Sequence, residues 1–205
     1  MTDLMKSVIL LFSGGEIKSA TPKFAIPNPQ SEMPHLNIEI KARCADLEAV
    51  RALLEAHAAR FVGEDHQVDT YFHVPQGRLK LREGTIEHAL IYYEREDAAG
   101  PKRSDVYLYH PTPDPALKSL LTAALGIRQI VDKRRDIFFI DNVKFHLDRV
   151  AHLGTFVEIE AIDWDGTLGA AHLHAQCAHY QHHFGITDAD LLTHSYSDLL
   201  TAGAR

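Results

Sequence analysis

Several strand-like stretches of this chain carry charges of one sign on alternate positions. Residues 78–82, RLKLR, set Arg78, Lys80 and Arg82 on one side and Leu79 and Leu81 on the other, because strand side chains alternate faces. Lys133 and Arg135 share a side with Val131 and Ile137, and Lys144, His146 and Asp148 share another. Glu158 and Glu160 lie together with Phe156, opposite Val157, Ile159 and Ala161. In NIEIKAR, residues 37–43, Asn37, Glu39, Lys41 and Arg43 face away from Ile38, Ile40 and Ala42. Like charges this close repel, so the basic strands require an anionic neighbour. Lysine and arginine hold phosphate oxygens, and carboxylates hold Mg²⁺ or Mn²⁺, which prefer hard oxygen ligands. A polyphosphate with divalent cations supplies both missing signs.

Two arrangements present such faces. One is an antiparallel sheet with a solvated face. The other is a sheet curled into a closed barrel, with helices on its exterior and the charged faces lining a tunnel. Sorting by sign favours the second, since a solvated face ordinarily mixes signs within each strand. The pattern supplies the elements for it. Leu47, Val50, Leu53, Leu54 and Phe61 recur at helical spacing behind Asp46, a predicted N-cap. Strands are predicted at 66–74, 77–83, 87–96 and 103–110, joined by short turns that imply antiparallel neighbours. A second helix has Asp114 as cap, Pro115 in its first turn, a stripe of Leu117, Leu120, Leu121 and Leu125, and Gly126 at its end. Strands at 128–140, 143–150 and 155–162 follow, then helix from about 167 to 184 and a shorter one from about 188 to 200.

The chain has 205 residues and a formal net charge of −7, which argues against non-specific adhesion to nucleic acid. Cys44 and Cys177 show no repeated spacing, so neither a disulfide framework nor a cysteine zinc site is signalled. The early apolar run Val8–Phe12 is too short to span a bilayer. These features predict a cytoplasmic protein with no membrane partner.

Taken in order, the charged motifs resemble the CYTH family of triphosphate tunnel metalloenzymes, which includes class IV adenylate cyclases and thiamine triphosphatases. The similarity runs from about Leu36 to Leu200. The opening ExExK strand of the family corresponds to Asn37–Lys41, with Asn37 in place of the first glutamate. The basic strand corresponds to GRLKLRE, the K-x-R strand to Lys133 and Arg135, and the late LDxV and ExE elements to Asp148, Glu158 and Glu160. The closing SYSDLL, Ser195–Leu200, is similar to the ending of cyclase-like members. Where many relatives carry lysine near the end of IYYERED this chain has Glu94, with Arg95, Lys102 or Arg103 as substitutes and Arg95 preferred.

The resemblance implies an α+β fold, an eight-stranded antiparallel closed β-barrel with helices packed outside, over residues 35–205 behind a poorly structured arm at 1–34. It implies that Lys41, Arg82, Lys133 and Arg135 grip the triphosphate. Arg78, Lys80, Arg95 and Lys144 are further substrate contacts, and Glu39, Asp148, Glu158 and Glu160 hold Mg²⁺ or Mn²⁺. The implied activity is that of a class IV adenylate cyclase, converting ATP to cyclic AMP and pyrophosphate. The alternatives are an inorganic tripolyphosphatase or organic triphosphatase, and a non-catalytic nucleotide or polyphosphate binder. Relatives suggest a homodimer.

Three other features are read as non-functional. LLFSGGEIKSA resembles the phosphate loop of PP-loop pyrophosphatases but lacks its aspartate and the helix and strand to follow. His179 and His183, one helical turn apart in HLHAQCAHYQHHFG, are read as histidines presented to water. Tyr92 and Tyr93 are read as packing residues.

Overall fold

Alternation along the strands resolves into an inside and an outside. The computed structural model describes residues 35–95 and 100–203. Eight strands, β1 (His35–Arg43), β2 (Arg60–Phe72), β3 (Arg78–Gly84), β4 (His88–Arg95), β5 (Lys102–Tyr109), β6 (Ile127–Ile140), β7 (Val143–Val150) and β8 (Gly154–Asp163), form a closed barrel. Their order around it is β1-β5-β4-β3-β2-β6-β7-β8, with antiparallel neighbours throughout. The arm read at 1–34, with its SGG segment, lies outside the described residues.

The main apolar core is on the exterior of the barrel. Ile38, Ile40 and Ala42 of β1, with Val157, Ile159 and Ala161 of β8 and Phe145 and Leu147 of β7, are covered by two helices. These are α1 (Leu47–Ala56), contributing Leu47, Val50 and Leu54, and α3 (Gly169–His183), contributing Leu173 and Cys177. The Asp46 carboxylate caps α1 by accepting from Ala49 N at 3.0 Å. With that face buried against helices, the opposite face of each strand must point into the barrel.

Some predicted boundaries move. Phe61 belongs to β2 and is 50% exposed, so the α1 stripe ends at Leu54. Asp114 caps α2 (Pro115–Leu125) as expected, accepting from Ala116 N at 2.8 Å, but no residue of that helix is fully buried and Leu120 is 65% exposed. The single helix predicted from about 188 to 200 is a short 3-10 turn, Asp188–Asp190, and a separate α4 (Tyr196–Gly203). The break lets residues 191–195 lie against one barrel end, where Leu191 bridges to Ala42 and Leu192 N donates to the Lys41 carbonyl at 2.8 Å.

Candidate functional site

The inward faces bring almost every predicted site residue to one interior. Register pairs Glu39 with Glu160, Lys41 with Glu158, Lys144 with Glu160, His146 with Glu158, and Arg135 with Asp148. Lys80 and Arg82 of β3 stand beside Tyr71 and Asp69 of β2. Lys41, Arg82, Lys133, Arg135 and Asp148 are all buried. Arg78 lies at the end nearer α4, where it donates to Asp198 at 3.1 Å. Arg95 is placed only by its backbone, which pairs with Ser104 at the end of β4.

Two interior networks result. In the first, Asp69 accepts from Arg82 Nε at 2.9 Å and Nη2 at 3.1 Å, from Lys133 at 2.7 Å and from Lys80 at 3.2 Å. Glu87, in the β3–β4 turn, accepts from Arg82 at 2.7 Å, from Gln67 at 2.9 Å and from Lys144. That turn is folded inward by Asp65, which accepts from Gln67, from Thr85 Oγ1 and from the backbone N–H groups of Ile86 and Glu87 at 2.7–3.0 Å. Gly84 leaves room for this arrangement: a Cβ there would stand 2.6 Å from the Glu87 carbonyl and 2.8 Å from the Asp65 carboxylate.

In the second network, Arg135 makes a two-pronged contact with Asp148, both bonds at 2.6 Å, and reaches Glu158 at 2.7 Å. Glu158 also pairs with Lys41 and accepts from His146 Nδ1 at 3.0 Å. Tyr196 enters from α4, donating to Asp148 at 2.8 Å while Lys41 sits 3.7 Å from its ring centre. Lys102 ties the adjoining segment, donating to the carbonyls of Leu192 and Thr193 at 2.6 and 2.8 Å.

The electrostatics diverge between the two walls. Burial opposes ionisation of Asp69, yet Arg82, Lys133 and Lys80 hold its carboxyl well below the usual range. One carboxylate shared among so many cations does not sustain all of them. Burial, with Arg82, Arg135 and Lys80 alongside, pulls the Lys133 ammonium down to about 7 despite Asp69. On β8 the imbalance has the opposite sign. Burial, reinforced by Glu39, Glu158 and Glu87 and opposed by Lys144, raises the Glu160 carboxyl. Burial and the neighbouring Arg135 pull His146 down to about 4, so its imidazole is neutral at physiological pH.

The fit of a divalent cation follows from the donor chemistry. Glu39 and Glu160 are hard oxygen donors directly opposite each other, and like charges so placed are destabilising without a cation between them. Among the described residues no three carboxylate, histidine or cysteine groups converge as a ready-made cage. Mg²⁺ usually takes one or two carboxylates and completes its shell with water and substrate phosphate.

Asp65, Gln67, Asp69, Glu87 and Tyr196 are the participants that sequence reasoning missed. The alternation of Asp65, Gln67 and Asp69 was a usable signal, because an acidic face is what the basic strand RLKLR calls for. Glu87, in a turn, offers no such period. Of the two α3 histidines read as presented to water, His179 is exposed, whereas His183 is half-buried with its ring centre 4.4 Å from that of His57.

Closed eight-stranded antiparallel barrels with an ionic interior and external helices define the architecture. A family model described as the CYTH domain matches residues 35–196, and the chain belongs to that family. A search of curated proteins by sequence finds no match. Among solved structures, a Pyrococcus horikoshii protein is 24% identical with a TM-score of 0.63, covering 80% of this chain and 98% of its own. A Vibrio parahaemolyticus protein described as a proposed adenylate cyclase is 21% identical with a TM-score of 0.65, covering 81% and 98%. A Hippeastrum protein, described as a proposed adenylyl cyclase with a dominant triphosphatase activity, is 13% identical with a TM-score of 0.57, covering 82% and 96%. At these identities the likeness is one of fold. No helix among the described residues is long and apolar enough to cross a membrane.

Proposed function

We propose that this CYTH protein binds a nucleoside triphosphate with Mg²⁺ or Mn²⁺ inside the barrel and acts on it as a class IV adenylate cyclase-like enzyme. The observation that carries the reading is the opposed charge imbalance within one interior. Burial, with Arg82, Arg135 and Lys80 alongside, pulls Lys133 down to about 7, while burial, with Glu39 and Glu158 alongside, raises Glu160. A polyphosphate relieves the first and a divalent cation the second.

Lys41, Lys80, Arg82, Lys133, Arg135 and Lys144 bind and orient the phosphate chain, exchanging part of their contact with Asp69, Glu87 and Glu158 for phosphate oxygens. Glu39 and Glu160 would hold the ion, while Glu158, whose oxygens are taken by Lys41, Arg135 and His146, positions those cations. Asp148 has its oxygens committed to Arg135 and Tyr196 and positions that guanidinium. When bound, the ion neutralises charge developing on phosphate oxygens. In the cyclase reaction the ribose 3′ oxygen attacks the α-phosphorus in line, its proton passes to solvent and pyrophosphate leaves. The cyclase assignment within the family draws on the SYSDLL ending, whose tyrosine the fold carries to Asp148. The Hippeastrum neighbour, described with a dominant triphosphatase activity, makes hydrolysis the competing outcome.

The test is product analysis with ATP, and separately with tripolyphosphate, in the presence of Mg²⁺ or Mn²⁺. Cyclic AMP and pyrophosphate support the proposal. Orthophosphate replaces it with a triphosphatase, and tight binding without turnover replaces it with a binding protein.

A further inference from the structure

One sector of the barrel interior does not belong to the phosphate machinery. On β4 and β5 the inward positions are Ala89, Ile91 and Tyr93 opposite Leu108 and Val106, an apolar cluster separate from the two others in the molecule. Val106 and Leu108 are only half-buried, and neither α1 nor α3 packs on this cluster. It lies beside the cationic strand, since Lys80 and Arg82 pair with Ile91 and Ala89 and the Lys80 ammonium sits 5.7 Å from the Tyr93 ring centre. An apolar wall there gives a phosphate chain nothing to bind.

Beside this wall are two buried polar atoms without partners. Asn37 and Ser104 are register partners on β1 and β5, each 2% exposed. Asn37 donates through Nδ2 to Glu160 at 2.5 Å, which leaves its Oδ1 buried with no donor among the described residues, and among these Ser104 Oγ has no partner of either kind. A buried polar atom left unsatisfied is destabilising, so a pair of them at adjacent positions on an inward face points to a ligand that completes them. Asn37 Oδ1 can only accept, so the ligand must bring an N–H or O–H donor. A flat apolar body with a polar edge, attached to a phosphate chain, is a nucleobase.

We infer that Asn37 and Ser104, with Ile91, Tyr93, Val106 and Leu108, form the subsite for the base of the nucleoside triphosphate. The base lies against the β4–β5 wall and presents an N–H donor to Asn37 Oδ1. Strand direction sets its place on the barrel axis: Val106 and Leu108 lie toward the end of β5, away from the Lys102 end that meets residues 192 and 193, while Tyr93, paired with Arg78, reaches back toward α4. The phosphates then run toward Lys133, Arg135 and Lys41, deeper on the α4 side. Asn37, which departs from the glutamate of the family motif, becomes a residue that distinguishes an organic triphosphate from an inorganic one. The inference rests on the proposed triphosphate site and adds which part of the substrate this wall reads.

The test compares Kd for an unreactive ATP analogue and for tripolyphosphate, both with Mg²⁺, in the wild type and in Ser104→Ala, Ile91→Ala and Leu108→Ser. The wild type is expected to prefer the ATP analogue, and each variant to weaken it by about tenfold or more while tripolyphosphate affinity stays within about twofold. Equal binding of the two ligands by the wild type, or equal loss of both in Ser104→Ala and Leu108→Ser, overturns the subsite while leaving the triphosphate site standing. If the wild type binds neither ligand, the triphosphate reading fails and this subsite with it.

Discussion

Lys133 offers a direct measure of the charge imbalance, because ligand binding must change its protonation. In the ligand-free protein its pKa is about 7, so near pH 8 only about one molecule in ten carries the ammonium form. Phosphate oxygens placed beside it favour the charged form, and restoring a pKa near that of a free lysine draws in about 0.9 proton per site at that pH. Isothermal titration of an unreactive ATP analogue with Mg²⁺, in buffers of different ionisation enthalpy, reads this uptake as the slope of apparent enthalpy against buffer enthalpy. Lys133→Met removes it, and the difference between the two slopes is the quantity of interest. The same group affects stability with a defined sign. The unfolded lysine titrates at 10.5 and the folded one at about 7, so between those values the unfolded chain binds the extra proton and stability rises with pH. The penalty is fully present below about pH 7 and is relieved toward pH 10, a range on the order of 4 kcal/mol. Wild-type and Lys133→Met slopes that coincide while both proteins bind the analogue would refute the reasoning.

Two further substitutions separate roles within the site. Glu160→Gln keeps an oxygen for Asn37 but removes the carboxylate that burial and Glu39 disfavour. It should leave stability at neutral pH unchanged or about 1 kcal/mol higher, while weakening Mn²⁺ binding, followed by electron paramagnetic resonance, by about tenfold. A lower melting temperature with undiminished Mn²⁺ binding would contradict the assignment. Tyr196→Phe deletes the hydroxyl that donates to the fully buried Asp148 and should cost about 1–3 kcal/mol in urea denaturation. A cost under about 0.5 kcal/mol would mean that α4 does not anchor the Arg135–Asp148 pair.

The legible parts of the site were those with a period. Lys80 and Arg82, Lys133 and Arg135, and Glu158 and Glu160 were visible as inward pairs because each strand reverses its side chains at every residue. Helix α2 shows the limit of that method. Its capping residues are correct locally, yet of its leucine stripe Leu117, Leu121 and Leu125 are only half-buried and Leu120 is exposed. Helical propensity and capping set where a helix forms, and only the neighbouring surface sets what it buries.

For this protein, sequence alone determined which side of each strand a charge occupies, that the signs are sorted between strands, and where α1 and α2 begin, since all of these depend on residues within a few positions of each other. Tertiary structure decided which faces meet. Pairing β1 with β8 sets Glu39 against Glu160, closure past β2 gives Lys133 and Arg82 a shared partner in Asp69, and the break before α4 delivers Tyr196 to Asp148. Residues brought together in this interior lie up to 123 positions apart, as Asn37 and Glu160 do, and register between such distant strands is settled by barrel closure and external packing, which no local pattern encodes.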